Sequence, residues 1–211
     1  MYTCNLHIYF AGHPSHALDV IKKMPSFEHF THIFTESDEA EASLSQKADA
    51  IIADLSHLDV RSALQVFLTN RGSGTQIILL ADKKQMQLLC SDPVLKDVTD
   101  IWVMPMSDEE LRFRFLRWQQ TYKMSKDFWE TSHFLETTIN NIPSLVWYKD
   151  KEGVHEKVND SFCQAVNKTK EQVQGRRHAY IWDVAEDDPA CIESEHQVMS
   201  TEQTLLSEET I

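Results

Sequence analysis

Five short apolar runs, each set apart from the next by a stretch of helical periodicity, constrain the fold of this chain more than any other feature. They are Asn5–Phe10, Thr31–Phe34, Ala50–Asp54, Gln76–Leu80 and Ile101–Met104, each of strand length. Between them Ser15–Met24, roughly Asp38–Gln46, Val60–Asn70 and Lys83–Cys90 carry apolar residues at intervals of three and four, the helical spacing. Right-handed crossovers place such helices over both faces of a parallel sheet. Residues 1–106 are therefore expected to form a doubly wound α/β domain with five parallel strands.

The chain has 211 residues, enough for two domains of ordinary size. With 42% hydrophobic and 25% charged residues and only 5 Gly, a packed core is expected rather than disorder. No apolar run approaches the roughly 20 residues of a bilayer crossing, and the first residues lack the charged start and apolar stretch of a secretory signal. A cytoplasmic protein without a membrane partner is expected. The net charge is −13 and no Lys or Arg follows Arg177, which disfavours binding to nucleic acid or anionic lipid. Four well-separated cysteines without a Cys-x-x-Cys pair indicate neither a zinc knuckle nor a disulfide framework, and a reducing compartment fits them.

In open parallel sheets, ligands and chemistry gather at the carboxyl ends of the strands. Those ends read Phe10-Ala11-Gly12, Asp54-Leu55-Ser56, Ala81-Asp82 and Met104-Pro105. The segment resembles the response-regulator receiver domain, a flavodoxin-like fold, in strand order, spacing and the residue-Pro step that precedes a helix. The resemblance implies that Asp54 stands where receivers are phosphorylated. It also implies an acidic pair where this chain has Phe10, Ala11 and Gly12, a hydroxyl where it has Ala81, and a lysine where it has Met104 before Pro105. Phosphoryl transfer needs carboxylates to hold an octahedral Mg²⁺ and a fixed cation to neutralise charge. A single carboxylate cannot supply both, so a receiver-like domain that has lost its switch is expected, with Asp54 capping a turn. A receiver still phosphorylated on Asp54 is the alternative.

Ser107-Asp108-Glu109-Glu110 has the capping-box pattern, and from Leu111 to Asn140 there is no Gly or Pro. Residues 107–142 are expected to form one connecting helix. Leu111, Phe115, Trp118 and Tyr122, then after an offset Met124, Phe128, Thr131, Leu135, Thr138 and Ile142, follow heptad-like spacing. Such a seam predicts a parallel homodimer, with Leu111, Phe115, Trp118, Phe128 and Leu135 at the interface. The competing expectation is that these side chains pack back on their own domains.

Ser144–Lys149, a turn at Asp150-Lys151-Glu152-Gly153 and His155–Val158 read as a hairpin. Asn159–Cys163 suits a capped helix, Thr169–Gly175 a helix closed by Gly, and a further helix is expected from about Pro189 to Ser200. The Asp-x-x-Gly turn, the Asn-x-x-Phe step and Tyr180-Ile181-Trp182-Asp183 resemble a PAS sensor domain, α+β in class. The likeness is greatest to PAS domains that precede bacterial diguanylate cyclase (GGDEF) domains. It covers roughly residues 134–211, with 143–211 as the domain proper. The resemblance implies three further strands, of which at most Leu205–Ile211 begins one, so an output domain beyond Ile211 is expected. It makes Trp147, Phe162 and Trp182 candidates to line a pocket, with His178, Cys191 and His196 as candidate axial ligands. Haem, flavin or a small metabolite could sit there, although core packing is the commoner use of large aromatics, and no cofactor is expected.

Ten histidines include the pairs His13/His16 and His29/His32, but neither has a ligand set of known metal geometry nearby, so surface or capping roles and no metal are expected. No Ser-His-Asp set, Gly-rich phosphate loop or HExxH helix occurs, so no catalytic residue is assigned. The expected role is a regulatory input region of a bacterial signalling protein, not itself an enzyme. The alternative is the N-terminal part of a diguanylate cyclase whose PAS domain binds a ligand.

Overall fold

The computed structural model describes residues 4–28, 30–186 and 189–206, and for residues 190 and 191 the backbone alone. The chain divides into two compact units, Met1–Met124 and Ser125–Ile211, so the boundary falls inside a helix.

In the first unit β1 (Cys4–Ala11), β2 (Phe30–Ser37), β3 (Ala50–Asp54), β4 (Gln76–Ala81) and β5 (Asp100–Val103) form one sheet in the order β2-β1-β3-β4-β5. All pairings are parallel. Side chains alternate between faces, and both faces are covered. Leu6, Ile8, Phe10, Ile52, Ile78, Leu80 and Trp102 point to one core with α1 (His16–Lys22) and the start of α5 (Asp108–Asn140). Tyr9, Ile51, Ala53, Ile77 and Leu79 point to the other. That second face is covered by α2 (Ala42–Lys47), α3 (Val60–Asn70) and α4 (Lys83–Cys90). Burial on both faces is why these strands read as continuous apolar runs. The order reverses between β1 and β3, which opens the switch-point crevice above their carboxyl ends.

β3, α3 and α4 lie where the sequence places them, and the differences elsewhere have local causes. β2 extends to Ser37 because it pairs residue for residue with the whole of β1, an edge pairing that its polar ends do not advertise. α2 starts at Ala42, later than expected, because the Tyr9 hydroxyl donates to Glu39 O (2.6 Å) and accepts from Glu41 N (3.0 Å), holding that stretch out of the helix. Its burial raises the Tyr9 pKa. Pro93–Asp97 adds a short 3₁₀ turn before β5, capped by Asp92.

The Ser107 side chain accepts from Glu110 N at 3.2 Å, and α5 then runs 33 residues, about 50 Å at 1.5 Å per residue. Its first third corrects the expected dimer seam. Leu111, Phe115 and Trp118 are buried in the first unit's core. Phe115 and Trp118 stack at 5.4 Å, and Trp118 Nε1 donates to Gln76 Oε1 at 2.6 Å. Buried Gln119 accepts from Phe27 N (3.3 Å) and contacts His32 Nε2 (2.7 Å), while its own Nε2 has no partner among the described residues. These side chains pack against the sheet because their stripe continues its apolar face. Only from Met124 onward does the stripe reach solvent, with Phe128 75% and Leu135 52% exposed.

In the second unit β6 (Trp147–Lys149) and β7 (His155–Val158) form an antiparallel pair. The turn is held by Asp150 Oδ1, which accepts from Glu152 N (3.0 Å) and Val154 N (2.8 Å), with Gly153 at φ +76°. β6 starts later than expected because Asn159 takes the preceding backbone. Its Oδ1 accepts from Val146 N (3.1 Å) and Phe162 N (2.9 Å), and its Nδ2 donates to Ser144 O (2.8 Å) and to Ile139 O and Ile142 O (both 3.2 Å). Four helices follow: α6 (Asp160–Val166), α7 (Lys170–Val173), α8 (His178–Ile181) and α9 (Pro189–Thr201). A small core of Val158, Phe162, Val173 and Ile181 lies among them. Leu205 and Leu206 are not in a strand, and the rest of the expected strand, residues 207–211, lies outside the described residues.

Candidate functional site

The switch point is the place to look for chemistry in a sheet of this order, and it lies between Gly12 and Asp54. β3 delivers Asp54 half-buried at its carboxyl end. Its Oδ1 accepts from both the Ser56 amide (3.0 Å) and the Ser56 hydroxyl (2.6 Å), an Asx turn of the kind that short polar side chains form after a strand. Gly12 N donates to Ser37 O at 2.8 Å, which continues the β1–β2 pairing. With φ at +129° it adopts a backbone that other residues rarely do. A β-carbon there would lie 3.0 Å from Asp54 Cβ, so the rim is closed to a side chain beside the aspartate.

The remaining receiver-like positions are also apolar. Ala11 and Ala81 are buried in the core on the second face. Met104 N donates to Ala81 O (2.8 Å), its side chain packs against the core of the first face, and the Met104–Pro105 peptide is cis. His13 and His57 also flank the rim, with ring centroids 4.8 Å apart, and His13 Nδ1 lies 3.2 Å from Asp38 Oδ1. Sequence reasoning missed this imidazole pair, because the two residues belong to loops 44 positions apart and only the β1–β3 pairing brings the loops together.

Mg²⁺ demands near-octahedral oxygen ligands, usually one or two carboxylates and waters. Each carboxylate at the rim is already engaged: Asp54 with Ser56, Asp82 as the cap of α4 and Asp38 beside His13, while Gly12 is pressed against Asp54 where a further side chain would stand. That donor set does not fit the ion. Among the described residues no group of three or more His, Cys, Asp or Glu side chains is placed to hold a metal. His16 Nε2 meets Asp108 Oδ1 at 2.7 Å and His32 meets Gln119, while His29 lies outside the described residues.

In the second unit the expected pocket aromatics are in mutual contact instead. Phe162 is buried between Trp147 (5.7 Å) and Trp182 (5.9 Å, edge-on), and His178 lies over Trp182 at 5.8 Å. Phe162 therefore belongs to the small core and Trp182 packs against it, the commoner use of large aromatics, while Trp147 is 44% exposed and lies outside that core. His178 and His196 line a different cavity, between the β6–β7 turn and α9, and the Cys191 side chain lies outside the described residues. Cys163 is half-buried, and desolvation raises its thiol pKa.

No protein-family model matches the chain, and no curated protein matches its sequence significantly. Solved structures resemble it at low identity. A CheY-like response regulator receiver domain protein from Methanospirillum hungatei is 18% identical over 56% of this chain and 96% of its own, with a TM-score of 0.42. The pilus assembly protein CpaE from Caulobacter crescentus is 12% identical over 54% of this chain and 92% of its own, with a TM-score of 0.41. A protein described as adenylate cyclase from Rhodopirellula baltica is 12% identical over 62% of this chain and 98% of its own, with a TM-score of 0.47. The flavodoxin-like assignment of the first unit rests on its own strand order. No helix among the described residues is long and apolar enough to cross a membrane.

Proposed function

We propose that the chain is a regulatory input region of a signal-transduction protein. Its receiver-like unit is a scaffold that no longer takes a phosphoryl group, and its second unit is a PAS-like sensor. The two lie on a helix that pairs in parallel with that of a second copy and acts on an output domain of the intact protein. In this reading any catalysis belongs to that output domain. The observation that carries the reading is the rim: Gly12 pressed against Asp54, with Ala81 and Met104 where a switch would need a hydroxyl and a cation. A phosphoryl group on Asp54 would meet no bound cation to neutralise it and no partner to convert it into a strand and helix shift. The exposed stripe at Met124, Phe128 and Leu135 supports self-pairing of the later part of α5.

The test is incubation with acetyl phosphate and Mg²⁺, followed by intact mass and borohydride trapping. No adduct at Asp54 is expected. Stoichiometric phosphorylation of Asp54 would overturn the reading.

A further inference from the structure

We propose that the second unit binds a compact oxyanion, a carboxylate or phosphate group, in the cavity between the β6–β7 turn, the start of α8 and α9. The cavity is about 180 Å³, below the ~300–1,000 Å³ of sites that hold drug-sized ligands. It has no room for a haem or a flavin. Its wall brings together three permanent cations, Lys149, Lys151 and Arg177, and the imidazoles of His178 and His196, against the carboxylates of Glu152 and Glu195.

These charges are not all spent on one another. Lys149, with only 9% of its side chain exposed, is paired to Glu195 across the cavity, so the Glu195 carboxylate is already neutralised. Neither the Lys151 ammonium nor the Arg177 guanidinium has an ion-pair or hydrogen-bond partner among the described residues. The Arg177 guanidinium, exposed at the cavity wall, presents the planar fork that matches a carboxylate or phosphate with two parallel bonds, and each imidazole can add a ring N–H donor. Gly153 leaves the turn side of the cavity clear, since a β-carbon there would point at Glu195 Oε2 from 3.8 Å. In a chain of net charge −13 with no Lys or Arg after Arg177, this convergence is a local positive patch set against the overall field.

That such binding is a signal rests on the proposed sensor role, whereas the binding itself does not. The test is calorimetric titration of the full chain in a cationic buffer at low salt, with inorganic phosphate, succinate and acetate as separate titrants. Saturable binding of at least one is expected, and which titrants bind separates a phosphate site from a carboxylate site. Arg177→Gln is expected to weaken that binding about tenfold or more, and Lys157→Gln, which lines a different cavity of the same unit, to leave it unchanged. The Arg177 side chain is exposed and has no partner among the described residues, so its truncation does not threaten folding. No saturable binding of any of the three at millimolar concentration, or binding indifferent to Arg177→Gln, overturns the proposal. Neither result bears on Asp54, whose phosphorylation test reads the other unit.

Discussion

Gly12 and Asp54 meet across the β1–β3 switch point so closely that a β-carbon on residue 12 would stand 3.0 Å from Asp54 Cβ and 3.1 Å from the Asp54 carbonyl oxygen. Contact and backbone conformation act together, because φ at Gly12 is +129°. Gly12→Ala is therefore expected to cost about 1–3 kcal/mol of first-unit stability from strain alone. Chemical denaturation would measure it. Because Ala81 and Met104 remain where a hydroxyl and a cation would be needed, Ala11→Asp with Gly12→Asp, which creates an acidic pair in sequence, is not expected to let acetyl phosphate modify Asp54.

Phe115 and Phe128 lie on one helix with opposite expected behaviour. Phe115 is fully buried against the sheet, and Phe128 is 75% exposed. Phe115→Ala should cost about 3–5 kcal/mol by leaving a cavity. Phe128→Glu should change folding stability by no more than about 0.5 kcal/mol while lowering self-association. Sedimentation across a micromolar concentration series reads the second effect. A wild-type chain that stays monomeric there would remove the paired-helix proposal.

The parts of the fold that were legible in sequence are those where both faces of an element are buried. β3 and β4 read as unbroken apolar runs because each side chain, whichever way it points, meets a core. Asp54 at a strand end, and the alanine and methionine at the other rim positions, could also be read directly. The pairing of His13 with His57 and the pressure of Gly12 on Asp54 could not, because they depend on which loops the strand order brings side by side. The heptad spacing through Leu111, Phe115 and Trp118 misled for a related reason: an apolar stripe at helical spacing looks the same whether a sheet or a second helix covers it. Phe162 and Trp182 of the second unit likewise gave no sign of whether they lined a pocket or filled a core.

Asn159 joins five backbone groups through one side chain, accepting from two amides and donating to three carbonyls. It is fully buried, so no water is at hand to replace it. Asn159→Ala should cost about 2–4 kcal/mol of second-unit stability, from the lost helix cap and the orphaned groups. Asn159→Asp should not rescue it, since a carboxylate keeps the acceptors but sets an oxygen against the carbonyls of Ile139, Ile142 and Ser144. Faster hydrogen exchange at the Val146 and Phe162 amides in the alanine variant would locate the damage, and unchanged exchange there would contradict the role given to this side chain.

Lys170 supplies the clearest pH dependence. Its ammonium meets Asp160 Oδ1 at 2.8 Å and Asn140 Oδ1 at 3.1 Å, with Glu136 Oε1 at 3.8 Å. The hydrogen bond to Asp160 is the main reason its pKa lies above the ordinary 10.5. A lysine whose pKa rises on folding contributes stability that is fully present below its unfolded value and disappears as pH climbs through the folded one. The group is partly exposed, so the contribution is about 1 kcal/mol or less. Comparison with Lys170→Met isolates it. The stability difference between the two proteins should be constant between about pH 7 and 9 and shrink once the solution passes the unfolded lysine value. A difference that grew with alkalinity, or that was already changing near neutrality, would mean that the ammonium is not what holds the end of α5 to α6 and α7.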